Sequence, residues 1–434
     1  MHIAIATHFL CQTRGGAERV AVELAGQMLR RGHAVTLHSW EDPHGNAATP
    51  AYPLPPGAVH KAWNWGNGAT EERARLRRFL MDDGTDVFLS LQSDKAGLFC
   101  ASACLGTGIP FVHSERDIPV LVETAIWNRP GRLAAMSGAD AIHLLLPSYV
   151  ESVPAPLRAR IRVIPNAAPE NALPAHIEEA GQKTLLYLGR LTDFKRPALL
   201  VRAFALLCGR HPDWRLDIWG VGPEAPRVRR LLSELGLKER VRLRGLCLDP
   251  PAAYAKAQCY CLPSRLEGLP NTVLEAMSAG LPVVGVADCT AMRSIVTPGG
   301  DGLLADEAIP ECLAATLDKL MADAAMRRRL GEKARQTAQR YAPERIFDQW
   351  ETLLAEMAGR KGHTAMDGFA DEPFATRAEL SRLARQEWLF RQNGEPLPCS
   401  SSWLWQRGKL AWRTLMHKAR PAQQRQPCKQ RREE

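Results

Sequence analysis

Residues 1–40 read MHIAIATHFLCQTRGGAERVAVELAGQMLRRGHAVTLHSW, and their pattern decides the architecture. HIAIAT is a short apolar run of strand length, after which Gly15 and Gly16 break the chain. Val20, Leu24, Met28 and Leu29 recur at helical spacing, Gly32 stops the helix, and AVTLHSW is strand-like again. Strand, glycine turn, helix and strand make a βαβ opening. Similar strand runs follow at DVFLSL (86–91), PFVHSE (110–115), AIHLLLP (141–147) and IRVIPN (161–166), mostly separated by helical stretches. Strands that alternate with helices imply a parallel sheet covered on both faces.

The stretch PNAAPENALPAHIEEAGQKT (165–184), rich in Pro, Ala and polar residues, reads as an interdomain linker. Beyond it the alternation restarts: TLLYLG, the helix PALLVRAFALL, RLDIWG, the helix APRVRRLLSELG, RVRLRG, AQCYCLPS, the helix NTVLEAMSAG and PVVGV. This predicts a second doubly wound sheet, and 434 residues exceed what one core usually holds. The expected division is residues 1–167, residues 168–343, a helix at about 344–358 that packs back on the first domain, and a tail of 359–434.

Apolar residues make up 45% and charged residues 24%, ordinary for a globular chain. The net charge is +9, and nine Lys or Arg with no Asp or Glu fall between Leu397 and Arg432. The body is thus near neutral, which argues against a broad nucleic-acid face and against nucleic acid as a partner. Eleven cysteines occur with no C-x-x-C pair and no His and Cys ligand spacing, so buried reduced thiols are expected. The start runs straight into a strand without a basic segment or cleavage site, and nothing approaches the roughly 18 apolar residues of a membrane span. The expected location of the body is the cytoplasm.

Ligands of open parallel sheets bind beyond the carboxyl ends of the strands, and two facing sheets enclose a cleft. After YLG come Arg190 and Lys195, two cations at a strand end that suit a diphosphate; solvated loop cations are the alternative. EGLPNTVLEAMSAGLPVV (267–284) is more specific. Gly268 permits close backbone approach, Pro270 suits a first helical turn, and the amides of that helix start attract anions. Glu267 and Glu275, eight residues apart, can then serve sugar hydroxyls and a ribose. The spacing alone equally allows a helix-capping Glu267 and a solvent-exposed Glu275.

The segment resembles the E-x7-E signature of retaining family 4 glycosyltransferases with the GT-B fold. GGAERVAVELAGQMLRRGHAV, VIPN, YLGRLTDFKRP and SRLEGLPNTVLEAMSAGLPVV resemble that family in order and spacing over residues 1–358. The resemblance implies two Rossmann-like domains facing a cleft. It also implies transfer of a hexose or N-acetylhexosamine, with retention, from a nucleotide sugar (expected to be UDP-linked) to a glycan or lipid-linked acceptor of surface polysaccharide synthesis. Glu267, His113, Arg190 and Lys195 are its expected catalytic set. Gly15, Gly16, Glu115, Arg116, Gly268, Leu269, Pro270, Asn271 and Glu275 are its expected substrate contacts. Within it, Glu267 would contact the transferred sugar, Glu275 the ribose, Arg190 and Lys195 the diphosphate, and Gly16 would close on the diphosphate from the first domain. FVHSERDIP is similar to the Ser-Glu-Arg-Asn-x-Pro stretch of members that build bacterial surface polysaccharides, with Asp117 in place of Asn. His113 would approach the sugar O6 hydroxyl.

An Asp-x-Asp motif is absent, so neither a metal nor another cofactor is expected, with Lys195 and Arg190 standing in for a cation. Gly15 and Gly16 do not form G-x-G-x-x-G, which weakens a dehydrogenase reading. A nucleotide-sugar 2-epimerase on the same fold and a basic nucleic-acid-binding protein are the rival functions. In the tail, Trp403–Lys418 projects Leu404, Trp405, Gly408, Ala411, Trp412, Leu415 and Met416 onto one arc, with Arg407, Lys409, Arg413 and Lys418 on the rest, where Trp403 and Leu410 also fall. A helix of this kind suits an anionic membrane surface, which would place the protein at the inner face of the plasma membrane.

Overall fold

A computed structural model describes residues 1–363 except 9, 11–14, 42–49, 51, 65–68, 170–172 and 178–180. The tail helix read at Trp403–Lys418 lies outside the described residues.

The first sheet holds β1 (His2–Thr7), β2 (Ala34–Glu41), β3 (Val59–Asn64), β4 (Val87–Ser90), β5 (Phe111–Glu115), β6 (Ala141–Leu144) and β7 (Ile161–Val163). Its order is β3-β2-β1-β4-β5-β6-β7, every neighbour parallel. The second sheet holds β8 (Lys183–Leu188), β9 (Trp214–Trp219), β10 (Val241–Gly245), β11 (Cys259–Cys261), β12 (Val283–Val286) and β13 (Gly302–Ala305), in the order β10-β9-β8-β11-β12-β13, again all parallel. Helices on both faces explain the composition. The inner strands β4, β5, β6 and β12 are buried along their whole length, β4 and β12 as mostly apolar runs and β5 and β6 with buried polar residues among them, while the edge strand β10 alternates Val and Leu with exposed Arg242 and Arg244.

Strand order reverses at β1/β4 in one sheet and at β8/β11 in the other. Such switch points open a crevice at the carboxyl ends of the strands, so the loops after β1, β4, β8 and β11 are the ones placed to bind a ligand. The helix Pro343–Ala358 returns from the second sheet to the first. Its Ile346, Phe347, Trp350, Leu353, Leu354 and Met357 share one core with Ile3, Ile5, Leu24, Met28 and Leu89. The Trp350 ring lies 4.4 Å from that of His143 on β6. His143 is neutral in this setting: Nε2 donates to the Ile164 carbonyl at 2.7 Å, Nδ1 takes the Ser114 hydroxyl at 2.8 Å, and burial pulls its pKa down to about 3.

All eight described cysteines are free, five of them buried, including Cys259 and Cys261 on β11 and Cys100 and Cys104 on the helix Lys95–Cys104. No helix among the described residues is long and apolar enough to cross a membrane.

Candidate active site

The loop after β8 runs through Gly189 and Arg190 into a 3-10 turn at Asp193–Lys195, and Arg196, at a left-handed φ of 51°, turns the chain into the helix Pro197–Leu207. Arg190 is exposed, whereas the Lys195 side chain is 14% exposed and donates from Nζ to Glu267 Oε1 at 2.6 Å. After β11 the chain crosses Glu267, Gly268 and Leu269 to Pro270, and the helix Asn271–Ser278 begins. Pro270 is the N-cap, one position ahead of the helical turn expected for it, and its carbonyl accepts from Val273 N at 3.0 Å. The amides of Asn271 and Thr272 precede the first turn's acceptors and are the anion-attracting end of this helix. Glu275 follows one turn later and is 7% exposed, so it is not a solvated helix residue.

The first domain reaches the same place. The helix Gly16–Arg30 starts against Asn271: a Cβ on Gly16 would lie 3.3 Å from Asn271 Nδ2. One turn on, Arg19 donates from Nη1 to Glu275 Oε1, while Tyr254 donates to Oε2 at 2.8 Å. Asn166 donates to Asn271 Oδ1 at 2.6 Å and to the Leu269 carbonyl at 3.3 Å, and accepts from Arg116 Nη2. Tyr149 donates to the carbonyls of Glu267 and Gly268. Gly268 is needed sterically, since a Cβ there would sit 2.4 Å from the Arg116 carbonyl oxygen. Asp117 faces Arg190 across the cleft: burial raises its carboxyl pKa, against the pull of Ser93, Arg116 and Arg190. Glu267, Lys195, Glu275, Gly16, Gly268, Leu269, Pro270, Asn271 and Arg116 thus come together, with Arg190 at their edge. Gly15 caps the helix start, where its carbonyl accepts from Tyr52 at 3.2 Å.

Two expected residues do not join them. Glu115 is 1% exposed and pairs with the fully buried Arg132, Nε to Oε2 at 2.6 Å and Nη2 to Oε1 at 2.8 Å. Burial raises the Glu115 carboxyl pKa while Arg132 holds it down, and Arg132 goes on to Glu123 and Ser152. Both oxygens are committed, so Glu115 anchors the segment after β5 instead of contacting a ligand; breaking such a buried pair costs about 3–5 kcal/mol. His113 is the third residue of β5, 2% exposed, beneath the helix Lys95–Cys104, where a Cβ on Gly97 would lie 2.8 Å from its Cε1. Burial and the nearby Arg132 lower its pKa to about 4, so it is neutral, and it does not reach the cleft surface. Arg116 is half-buried at the cleft, and desolvation pulls its pKa down to about 10.

Four contributors escaped the sequence reading: Arg19, Tyr149, Asn166 and Tyr254. Arg19 lies in GGAER and Asn166 ends VIPN, so both stood inside recognised phrases. Tyr149 and Tyr254 belong to no motif, and only the fold brings them to the loop.

Two family descriptions match the chain: Glycosyltransferase Family 4 over residues 14–170, and Glycosyl transferases group 1 over residues 170–337. The chain belongs to this glycosyltransferase family. An exopolysaccharide phosphotransferase of Streptomyces coelicolor is 37% identical over 346 residues, 77% of this chain and 34% of that protein. An uncharacterized glycosyltransferase of Haemophilus influenzae is 30% identical over 193 residues, 44% of this chain and 55% of that protein. The chain therefore spans about a third to a half of the length of these relatives. Among solved structures, Anabaena HepE in complex with UDP matches with a TM-score of 0.68 at 18% identity, covering 82% of this chain and all of that one. Staphylococcus aureus TarM, crystallised with UDP and α-GlcNAc-glycerol among its ligands, matches at 0.69 and 11% identity, covering 81% and 99%. These likenesses and the two facing parallel sheets make the fold GT-B.

Proposed function

We propose that the chain transfers a hexose or N-acetylhexosamine from a UDP-sugar to a hydroxyl of a glycan or lipid-linked acceptor in surface polysaccharide or glycoconjugate synthesis, with retention of configuration. One observation carries the reading: Glu267 and Glu275 stand on either side of a helix start in one interdomain cleft, with Lys195 on the first and Arg190 nearby. The nucleotide choice is supported by the UDP in the HepE and TarM structures. The acceptor class is supported by a Campylobacter jejuni α-1,4-N-acetyl-D-galactosaminyltransferase named for an undecaprenol-linked substrate, 26% identical over 65% of this chain and 78% of its own length.

In this scheme Glu275 accepts from the ribose hydroxyls and Glu267 from a hydroxyl of the transferred sugar. Lys195, Arg190 and the amides of the helix start hold the diphosphate. As the bond from the anomeric carbon to the phosphate oxygen breaks, the acceptor oxygen bonds that carbon from the same face. Its proton passes to the departing phosphate, whose growing charge Lys195 and Arg190 stabilise. No divalent cation takes part, because those two side chains supply the positive charge. Residues 1–167 carry the acceptor, residues 168–343 the donor, and the protein works in the cytoplasm.

The test is a panel of nucleotide sugars scored by thermal stabilisation and then by nucleotide release in excess chelator. A UDP-hexose or UDP-N-acetylhexosamine should stabilise the protein most, by RT ln(1 + [L]/Kd), and turn over without metal. Stabilisation by no nucleotide sugar, or release that returns only on adding metal, would sink the reading.

A further inference from the structure

The Tyr149 hydroxyl lies 2.8 Å from the Glu267 carbonyl oxygen and 3.1 Å from that of Gly268, and shares its single proton between them. Tyr149 sits on the 3-10 turn Pro147–Ser152 after β6, and is 6% exposed. The contact therefore crosses from one domain to the other out of reach of water. Both peptides concerned are trans, and in a planar trans peptide the C=O and the N–H point in opposite directions. Tying the carbonyls of Glu267 and Gly268 to Tyr149 turns the N–H groups of Gly268 and Leu269 the other way. Neither amide has a hydrogen-bond partner among the described residues. The Leu269 carbonyl is secured by Asn166, also of the first domain.

We propose that Tyr149 is a positioning residue for the sugar half of the donor. It aims two consecutive backbone N–H donors, those of Gly268 and Leu269, at hydroxyl oxygens of the transferred sugar, while the Glu267 carboxylate accepts from a neighbouring hydroxyl. The nucleotide half, held by Glu275, Lys195 and Arg190, does not depend on this contact. Because Tyr149 and the loop belong to different domains, the sugar is fully recognised only with the domains together, and the nucleotide is recognised either way. Gly268 keeps that approach open, since any larger residue would strike the Arg116 carbonyl. This assignment rests on the proposed function.

The test is Tyr149→Phe, which keeps the ring and its packing and removes only the hydroxyl. UDP and the best UDP-sugar of the panel are titrated into both proteins. UDP affinity should stay within about twofold, while affinity for the UDP-sugar falls about tenfold, the worth of one to two hydrogen bonds. In the unaltered protein, hydrogen exchange at Gly268 and Leu269 should slow with UDP-sugar beyond any slowing by UDP; this readout stands even if the variant fails to fold. Equal loss for both ligands, no loss for either, or identical exchange with UDP and UDP-sugar would overturn the role of Tyr149. If the unaltered protein bound no nucleotide sugar, the proposed function would fail first and this assignment with it.

Discussion

Each carboxylate of the cleft is held by a cation from a different direction: Glu267 by Lys195 of its own domain, Glu275 by Arg19 of the other. A donor must therefore share partners already in place, which separates the two mutants. Glu275→Ala removes the proposed ribose acceptor and leaves Arg19 without this partner, so UDP affinity should fall at least tenfold. Glu267→Ala removes a contact to the reacting sugar and should lower kcat by about 100-fold with UDP affinity nearly kept, on the scale of losing one group that stabilises the transition state. Titration of UDP and initial rates with the full donor measure the split; near-normal behaviour of both mutants would refute the site. At this scale the positions of Arg190, Lys195, Glu267 and Glu275 after strand ends and at a helix start were legible, whereas the roles proposed for them come from the family resemblance and not from their spacing. Glu115 was not, because its partner Arg132 lies 17 residues on and only the fold joins them. The burial of His113 was equally hidden, since a histidine in a strand looks the same whether its ring faces a cleft or the underside of a helix.

Among elements, the central strands were legible for the reason that they are buried on both faces, so apolar runs such as VFLS and VVGV stand out. The strands that escaped are both at edges. β3, VHKAWN, mixes polar and apolar residues with no continuous run, and β13, GLLA, is four residues long and opens on glycine. The segment Trp403–Lys418 lies outside the described residues, and from its sequence alone we propose that it binds anionic membrane. The described body extends a few residues past the helix Pro343–Ala358, where Lys361 pairs with Asp86 at 2.9 Å and Gly362 N donates to Gly108 O at 2.8 Å. A chain ending at His363 keeps both contacts and is the right comparison. The full chain should co-sediment with vesicles containing anionic lipid and lose that binding at high salt, while the shorter chain stays in the supernatant. Equal partitioning of the two would refute the membrane role.

At the scale of the molecule, the two switch points face one another, and the residues that meet there come from both sheets: Gly16, Arg19, Tyr149 and Asn166 from one side, and Glu267, Gly268, Asn271 and Glu275 from the other. A reaction housed between domains excludes water when they are together and admits donor and acceptor when they part. The proposed retention of configuration requires acceptor and leaving group on the same face of the sugar. Proton NMR of the product's anomeric centre, recorded early in turnover with an α-linked UDP-sugar and a hydroxyl acceptor, tests this central claim most directly. The account predicts an α-linked product; a β-linked product would contradict it.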